Sequence, residues 1–112
     1  MEVTQLPYNK FLGLETHEGG RLTLPDDSRY TNHLGTVHAG ALFSLAEASS
    51  GQFLLRSVYL DPKAVVVVLR SAEIKYRRPA RGRILSRCRC TLDELETLQK
   101  SLASRGRATV TV

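Results

Sequence analysis

From Gly40 to about Tyr59 the chain carries a helical pattern that is apolar on nearly every side. Leu42, Phe43, Leu45, Phe53, Leu54 and Leu55 cover most of the helix surface, and such a helix has to be buried. Ala41, Ser44, Ala48 and Gly51 follow 3-4-3 spacing, so one face carries only small side chains. That face suits close packing of the helix on a sheet; the other reading is room for a ligand. Asp61-Pro62 stops the pattern. A buried helix of this length needs a cover, and the rest of the chain has to supply it.

The flanking segments have the two-residue period of strands. Phe11 to His17 reads as one strand and Arg21 to Leu24 as its return, joined by a Glu18-Gly19-Gly20 turn. Glycines accept the positive φ of such turns. Residues 28 to 38 read as loop. Ala64 to Leu69 is a β-branched apolar run, the signature of a strand covered on both faces. It passes into alternation, with Ala72, Ile74 and Tyr76 on one side and Glu73, Lys75 and Arg77 on the other. After a turn at Pro79-Ala80-Arg81-Gly82, Ile84, Ser86, Cys88 and Cys90 face one way, and Arg83, Arg87 and Arg89 mostly the other. Leu92 to Ser104 returns to helical spacing, and Arg107 to Val112 resumes alternation. The predicted fold is α+β, one long helix against one mostly antiparallel sheet.

At 112 residues, this is the size of a single small domain. Its 42% apolar and 24% charged residues exclude a disordered chain. No window approaches the roughly 18 apolar residues of a membrane span, and Met1 to Lys10 lacks the pattern of a signal peptide. Cys88 and Cys90, two apart in a strand, point the same way and cannot bridge each other. No structural disulfide is expected, which fits a reducing compartment and a cytoplasmic protein.

Glu47 is the one formally charged side chain between Leu34 and Leu55. A carboxylate within an apolar helix is costly unless it is paired, hydrogen-bonded or used. Desolvation there would make it a better base at neutral pH. The plainer reading is a structural ion pair with an Arg or Lys. Just ahead of the helix comes Asn32-His33-Leu34-Gly35-Thr36-Val37-His38-Ala39-Gly40. The first N–H groups of a helix lack internal partners and carry the positive end of its dipole, so they suit an oxyanion or a polarised carbonyl. Small residues at Ala39 and Gly40 let a substrate approach the backbone. Taken singly, Gly35 and Gly40 also read as turn and cap residues, and His38 as a histidine satisfied by nearby backbone.

Taken together, Asn-x-x-Gly-x-x-His-x-Gly, then an apolar helix with an acid nine residues after the histidine, resembles the hot-dog thioesterase superfamily of the phenylacetate-pathway (PaaI-like) type. Asn32, Gly35, His38, Gly40 and Glu47 match in residue and spacing. Lys75 to Gly82 resembles the strand and turn that follow the helix in those proteins. The helical insert Leu92 to Ser104 resembles the branch known from a domain of unknown function (DUF4442, YiiD C-terminal-like). The resemblance covers roughly Phe11 to Val112 and implies a hot-dog fold with an acyl thioesterase activity. It makes Glu47 the general base or nucleophile and has Asn32 orient water or substrate. The Ala39 N–H would polarise the carbonyl, with His38 shaping the site or bonding that carbonyl. Position 39 is Ala where the family often has Gly, and the acid is Glu where this branch often has Asp. The family continues through another hairpin, which implies either a shorter sheet here or a final strand beyond Val112.

Glu47 lies seven residues past Gly40, about 10 Å along the axis at ~1.5 Å per residue. That is too far to act on a carbonyl held at its own helix start. An antiparallel helix from a second chain would bring its Glu47 there, so a composite site in a dimer is expected. The resemblance implies the same, a homodimer or dimer of dimers.

The formal net charge is +5, and Arg70, Lys75, Arg77, Arg78, Arg81, Arg83, Arg87 and Arg89 cluster around a single acid, Glu73. Such a field attracts polyanions. For a CoA thioester, Arg77, Arg78 and Arg81 are the candidates to meet its phosphates; the plainer reading is a solvated sheet face. Nucleic acid is not expected, because Tyr76 is the one aromatic within the stripe. A membrane partner, a metal and a resident cofactor are not expected either. The leading expectation is an acyl-CoA hydrolase, and the alternative is a non-catalytic acyl-CoA-binding or sensing domain on the same fold.

Overall fold

The long helix sits where the small-residue face demands. In the computed structural model, which describes residues 1–112, helix α2 spans Ala39–Ser57. Ala41, Leu45 and Ala48 are buried and pack on the sheet side with Leu22, Leu24, Tyr30 and Val37 in one core, while Ser44, also buried, shares a hydrogen bond with the Tyr8 hydroxyl at 2.9 Å. The small face therefore serves close helix–sheet packing. Leu22 and Leu24 are completely buried, which stabilises the fold by about 1.5–3 kcal/mol for each side chain.

The sheet is antiparallel, in the order β1-β2-β3. Strand β1 is Glu15–Thr16, β2 is Leu22–Leu24 and β3 is Ile84–Leu85. Glu15 lies opposite Thr23, and Thr23 lies opposite Leu85. The Glu18–Gly20 turn joins the first pair, with Gly19 and Gly20 at φ 71° and 75°. The Thr23 hydroxyl donates to the Ile84 carbonyl at 2.7 Å, and the Ser86 hydroxyl donates to Leu22 at 2.9 Å. Side-chain bonds thus lengthen a ladder that is short in itself. The whole is α+β, a long helix laid on an antiparallel sheet, consistent with a hot-dog-like fold.

A second apolar cluster forms where α3, Leu92–Arg105, crosses the far end of α2. Leu95 and Leu98 meet Leu54 and Val58, with Cys90, Ala108 and Val110 at the margin. Thr91 and Glu94 form a capping box that starts α3.

Several expectations need correction. The segment from Phe11 is not a continuous strand. Pro7–Leu12 is a short helix, α1, with Pro7 in its first turn and Gly13 in the left-handed conformation behind it. Those punctuating residues outweigh the alternation, and Phe11 is 82% exposed. The Ala64 to Leu69 run joins no ladder and is not covered on both faces: Val66 and Val68 are 83% and 75% exposed. Residues 72–77 and 107–112 are likewise unladdered. A β-branched run favours a pleated surface only where a neighbouring strand and a core exist, and this chain alone offers that run neither.

The alternation after Gly82 fares better. Ile84, Ser86, Cys88 and Cys90 are half-buried, and Arg83, Arg87 and Arg89 are exposed, although only Ile84–Leu85 forms ladder bonds. Both cysteines are free thiols.

Candidate functional site

The loop that feeds α2 is held by its own side chains. The Asn32 side-chain carbonyl accepts the N–H groups of Leu34 (2.9 Å) and Thr36 (3.1 Å). Its amide donates to the Thr36 hydroxyl at 2.8 Å. Thr31 bridges to Val37, and Gly35 takes φ 73° at the tip, a conformation glycine adopts at no steric cost. Asn32 is therefore first the organiser of this loop. One of its two amide protons remains for another partner.

His38 is the N-cap of α2. Its Nδ1 accepts the Gly40 N–H at 2.8 Å, which satisfies one of the orphan donors of the first turn. A side chain at Gly40 would place its Cβ 3.1 Å from that nitrogen. Glycine here is what lets the ring close over the helix end. The His38 N–H is tied to the Tyr30 carbonyl at 2.7 Å, and the Val37 N–H to Ala80 at 2.8 Å. The Ala39 N–H has no partner in the chain, and Ala39 is exposed. The helix start thus offers one backbone donor without a partner.

Glu47 departs from its expected setting. It is exposed, because its side of α2 faces away from the sheet. The chain's one ion pair joins Arg29 and Asp27, so the structural ion pair considered for Glu47 does not form within the chain. Around Glu47 the same side carries Gly40, which is exposed, with Phe43, Ser50 and Gly51 half-buried. Within the chain Glu47 is therefore hydrated and not desolvated, so the expected burial of its carboxylate does not occur, and it has no protein partner.

Of the three candidate arginines, Arg81 reaches the loop, where its Nη1 donates to the Gly35 carbonyl at 3.3 Å. Arg77 and Arg78 are exposed and unpaired. Residues that the sequence did not single out also meet here. Thr36 is buried as the partner of Asn32. The Tyr76 hydroxyl donates to the Ala39 carbonyl at 3.0 Å across 37 residues. Tyr76 was visible as the one aromatic in the basic stripe, but no spacing links it to Ala39.

Two cavities lie elsewhere. One, of about 300 Å³, runs behind the loop between Asp26, Asp27 and Arg81. It includes none of Asn32, His38, Ala39 or Glu47. The other, of about 430 Å³, is an open groove along Phe53, Cys88, Cys90 and Glu94. Burial pushes the Cys88 thiol above its ordinary range. Burial and the neighbouring Glu94 do the same for Cys90. Both thiols are thereby poor nucleophiles at neutral pH. No group of His, Cys, Asp and Glu side chains gathers as a metal site, and no helix is long and apolar enough to cross a membrane.

No curated protein and no solved structure matches this chain. The model of one family does, that of a domain of unknown function (DUF4442), over residues 11–112. A match of that extent makes the chain a member of the DUF4442 family.

Proposed function

We propose that this protein is an acyl thioester hydrolase of the hot-dog thioesterase type, with acyl-CoA as the substrate class and two chains contributing to each site. The observation that carries the reading is the pairing of a free Ala39 N–H with an unpartnered Glu47 on the uncovered side of one helix. The first is a donor for a developing oxyanion, and the second is a carboxylate available as general base or nucleophile. Eight residues separate them, about 12 Å of helix rise, so one chain cannot bring both to the same carbonyl. A second α2, antiparallel and against the Gly40–Glu47 side, does.

Three further observations support a homodimer or a dimer of dimers. Phe43, Gly40 and Gly51 leave that side of α2 uncharged apart from Glu47. The Val65 to Leu69 segment exposes aliphatic side chains that a partner strand would cover. The radius of gyration is 15.3 Å, against roughly 13 Å for a compact chain of this length.

In the proposed mechanism the Ala39 N–H polarises the thioester carbonyl while Glu47 of the second chain takes a proton from water. The oxygen of that water adds to the carbonyl carbon, the C–S bond breaks, and the proton on Glu47 passes to the departing thiolate. If Glu47 attacks instead, the thiolate leaves from a mixed anhydride, which water then hydrolyses. Asn32 holds the loop and has one amide proton left to orient water. Arg81, with Arg77 and Arg78, offers cations to the CoA phosphates. The chemistry uses side chains and backbone alone, with no metal or resident cofactor. The reducing setting that free thiols suit makes a cytoplasmic protein part of the same proposal.

The test is a panel of acyl-CoAs with a thiol reagent, run on the wild-type protein and on Glu47→Gln. Wild-type turnover that falls by at least about a hundredfold in the variant is expected. Tight acyl-CoA binding with no Glu47-dependent hydrolysis would overturn the enzyme and leave a binding or sensing domain.

A further inference from the structure

Tyr76 and His38 are joined through a single peptide group. The Tyr76 O–H donates to the Ala39 carbonyl at 3.0 Å. That carbonyl and the Gly40 N–H are the two ends of one amide, and the Gly40 N–H donates to His38 Nδ1 at 2.8 Å. A carbonyl oxygen has two lone pairs, so Ala39 can take Tyr76 as well as a helical N–H. Hydrogen bonds in such a chain polarise one another. A proton donated at the oxygen makes the same amide's N–H a stronger donor to the imidazole.

A ring nitrogen that accepts an N–H cannot itself carry a proton. Neutral His38 therefore holds its proton on Nε2. The backbone is built for this contact, since any Cβ at position 40 would crowd Nδ1 at 3.1 Å.

We propose that Tyr76 is a positioning residue which, through the Ala39–Gly40 peptide, tightens the cap contact that keeps His38 as the neutral Nε2–H tautomer. His38 then presents a hydrogen-bond donor at the residue before the free Ala39 N–H. The assignment of that donor to the thioester carbonyl rests on the hydrolase reading; the tautomer itself does not. His38 then donates a hydrogen bond and transfers no proton, and proton transfer is left to Glu47. His38 and Glu47 have separate tasks.

The test is the ring ¹⁵N spectrum of His38 in the wild-type protein and in Tyr76→Phe, at about pH 8.5, where imidazoles are neutral. A pyridine-like Nδ1 and a protonated Nε2 are expected in the wild type, with the same tautomer and a shifted Nδ1 resonance in Tyr76→Phe as the Gly40 donor weakens. A protonated Nδ1 in the wild type, or an Nδ1 resonance unchanged in Tyr76→Phe, overturns the proposal. Tyr76→Phe keeps the ring, and its thermal melt identifies any loss of fold. With acyl-CoA, Tyr76→Phe should lower kcat about fivefold and leave KM unchanged, the loss of one modest hydrogen bond. Unchanged kcat overturns the donor role. If the wild type hydrolyses nothing while the tautomer is as expected, the hydrolase reading fails and the tautomer assignment stands.

Discussion

Glu47 and His38 differ in how much of their work is structural, and single substitutions separate the two. Glu47 is exposed and unpaired, so Glu47→Gln should leave unfolding free energy within about 0.5 kcal/mol of wild type while hydrolysis is lost. A urea titration beside the thiol-release assay checks both halves. His38 caps α2, so His38→Ala should cost about 1 kcal/mol of stability by the same titration, besides its effect on turnover. Cys88 is pushed up by burial, so its alkylation by iodoacetamide at pH 7 should be slower than that of a cysteine in a short peptide. Equal rates would mean that the thiol is not shielded. The acid was legible because an apolar helix left it conspicuous, and the loop pattern from Asn32 to Gly40 was legible for its spacing. The exposure of Glu47 was not, because the helix pattern shows which residues are apolar and not which side the chain leaves uncovered. Nor could spacing reveal that Asn32 spends its carbonyl on Leu34 and Thr36.

At the scale of elements, α3 carries a pH dependence of its own. The Thr91 N–H, the Cys90 thiol and the Thr91 hydroxyl hold the Glu94 carboxyl below the usual carboxylate range. A carboxyl depressed in the folded state contributes stability that is complete above its unfolded pKa and lost as pH falls through the folded one. The helicity of α3 should therefore weaken below the ordinary glutamate range. Glu94→Gln should flatten that part of a circular-dichroism titration, and an unchanged titration would contradict the cap. Helices α2 and α3 were predicted almost to their ends, since caps and apolar periodicity are local signals. The sheet was legible mainly where an immediate partner exists, at β1 and β2. Pro7 and Gly13 turned the first strand into α1 and a turn. The Val65 to Leu69 run has the composition of a covered strand, but no segment within residues 1–112 covers it.

For the whole molecule, the exposed Val66 and Val68 and the uncovered side of α2 are the surfaces that the proposed pairing of two chains would cover. Val68→Glu should cost the isolated chain little, since the side chain is 75% exposed, but it should convert a dimer to monomers in sedimentation velocity and abolish hydrolysis. A variant that stays dimeric and active would place the interface elsewhere. The most direct measurement is complementation between two defective chains. Glu47→Gln and Ala39→Trp, co-expressed with different tags and isolated as the mixed dimer, leave one intact composite site and one doubly defective site. If the site is shared, the mixed dimer should recover about half the wild-type turnover while each parent alone stays inactive. A mixed dimer as inactive as its parents would show that Ala39 and Glu47 do not meet across two chains.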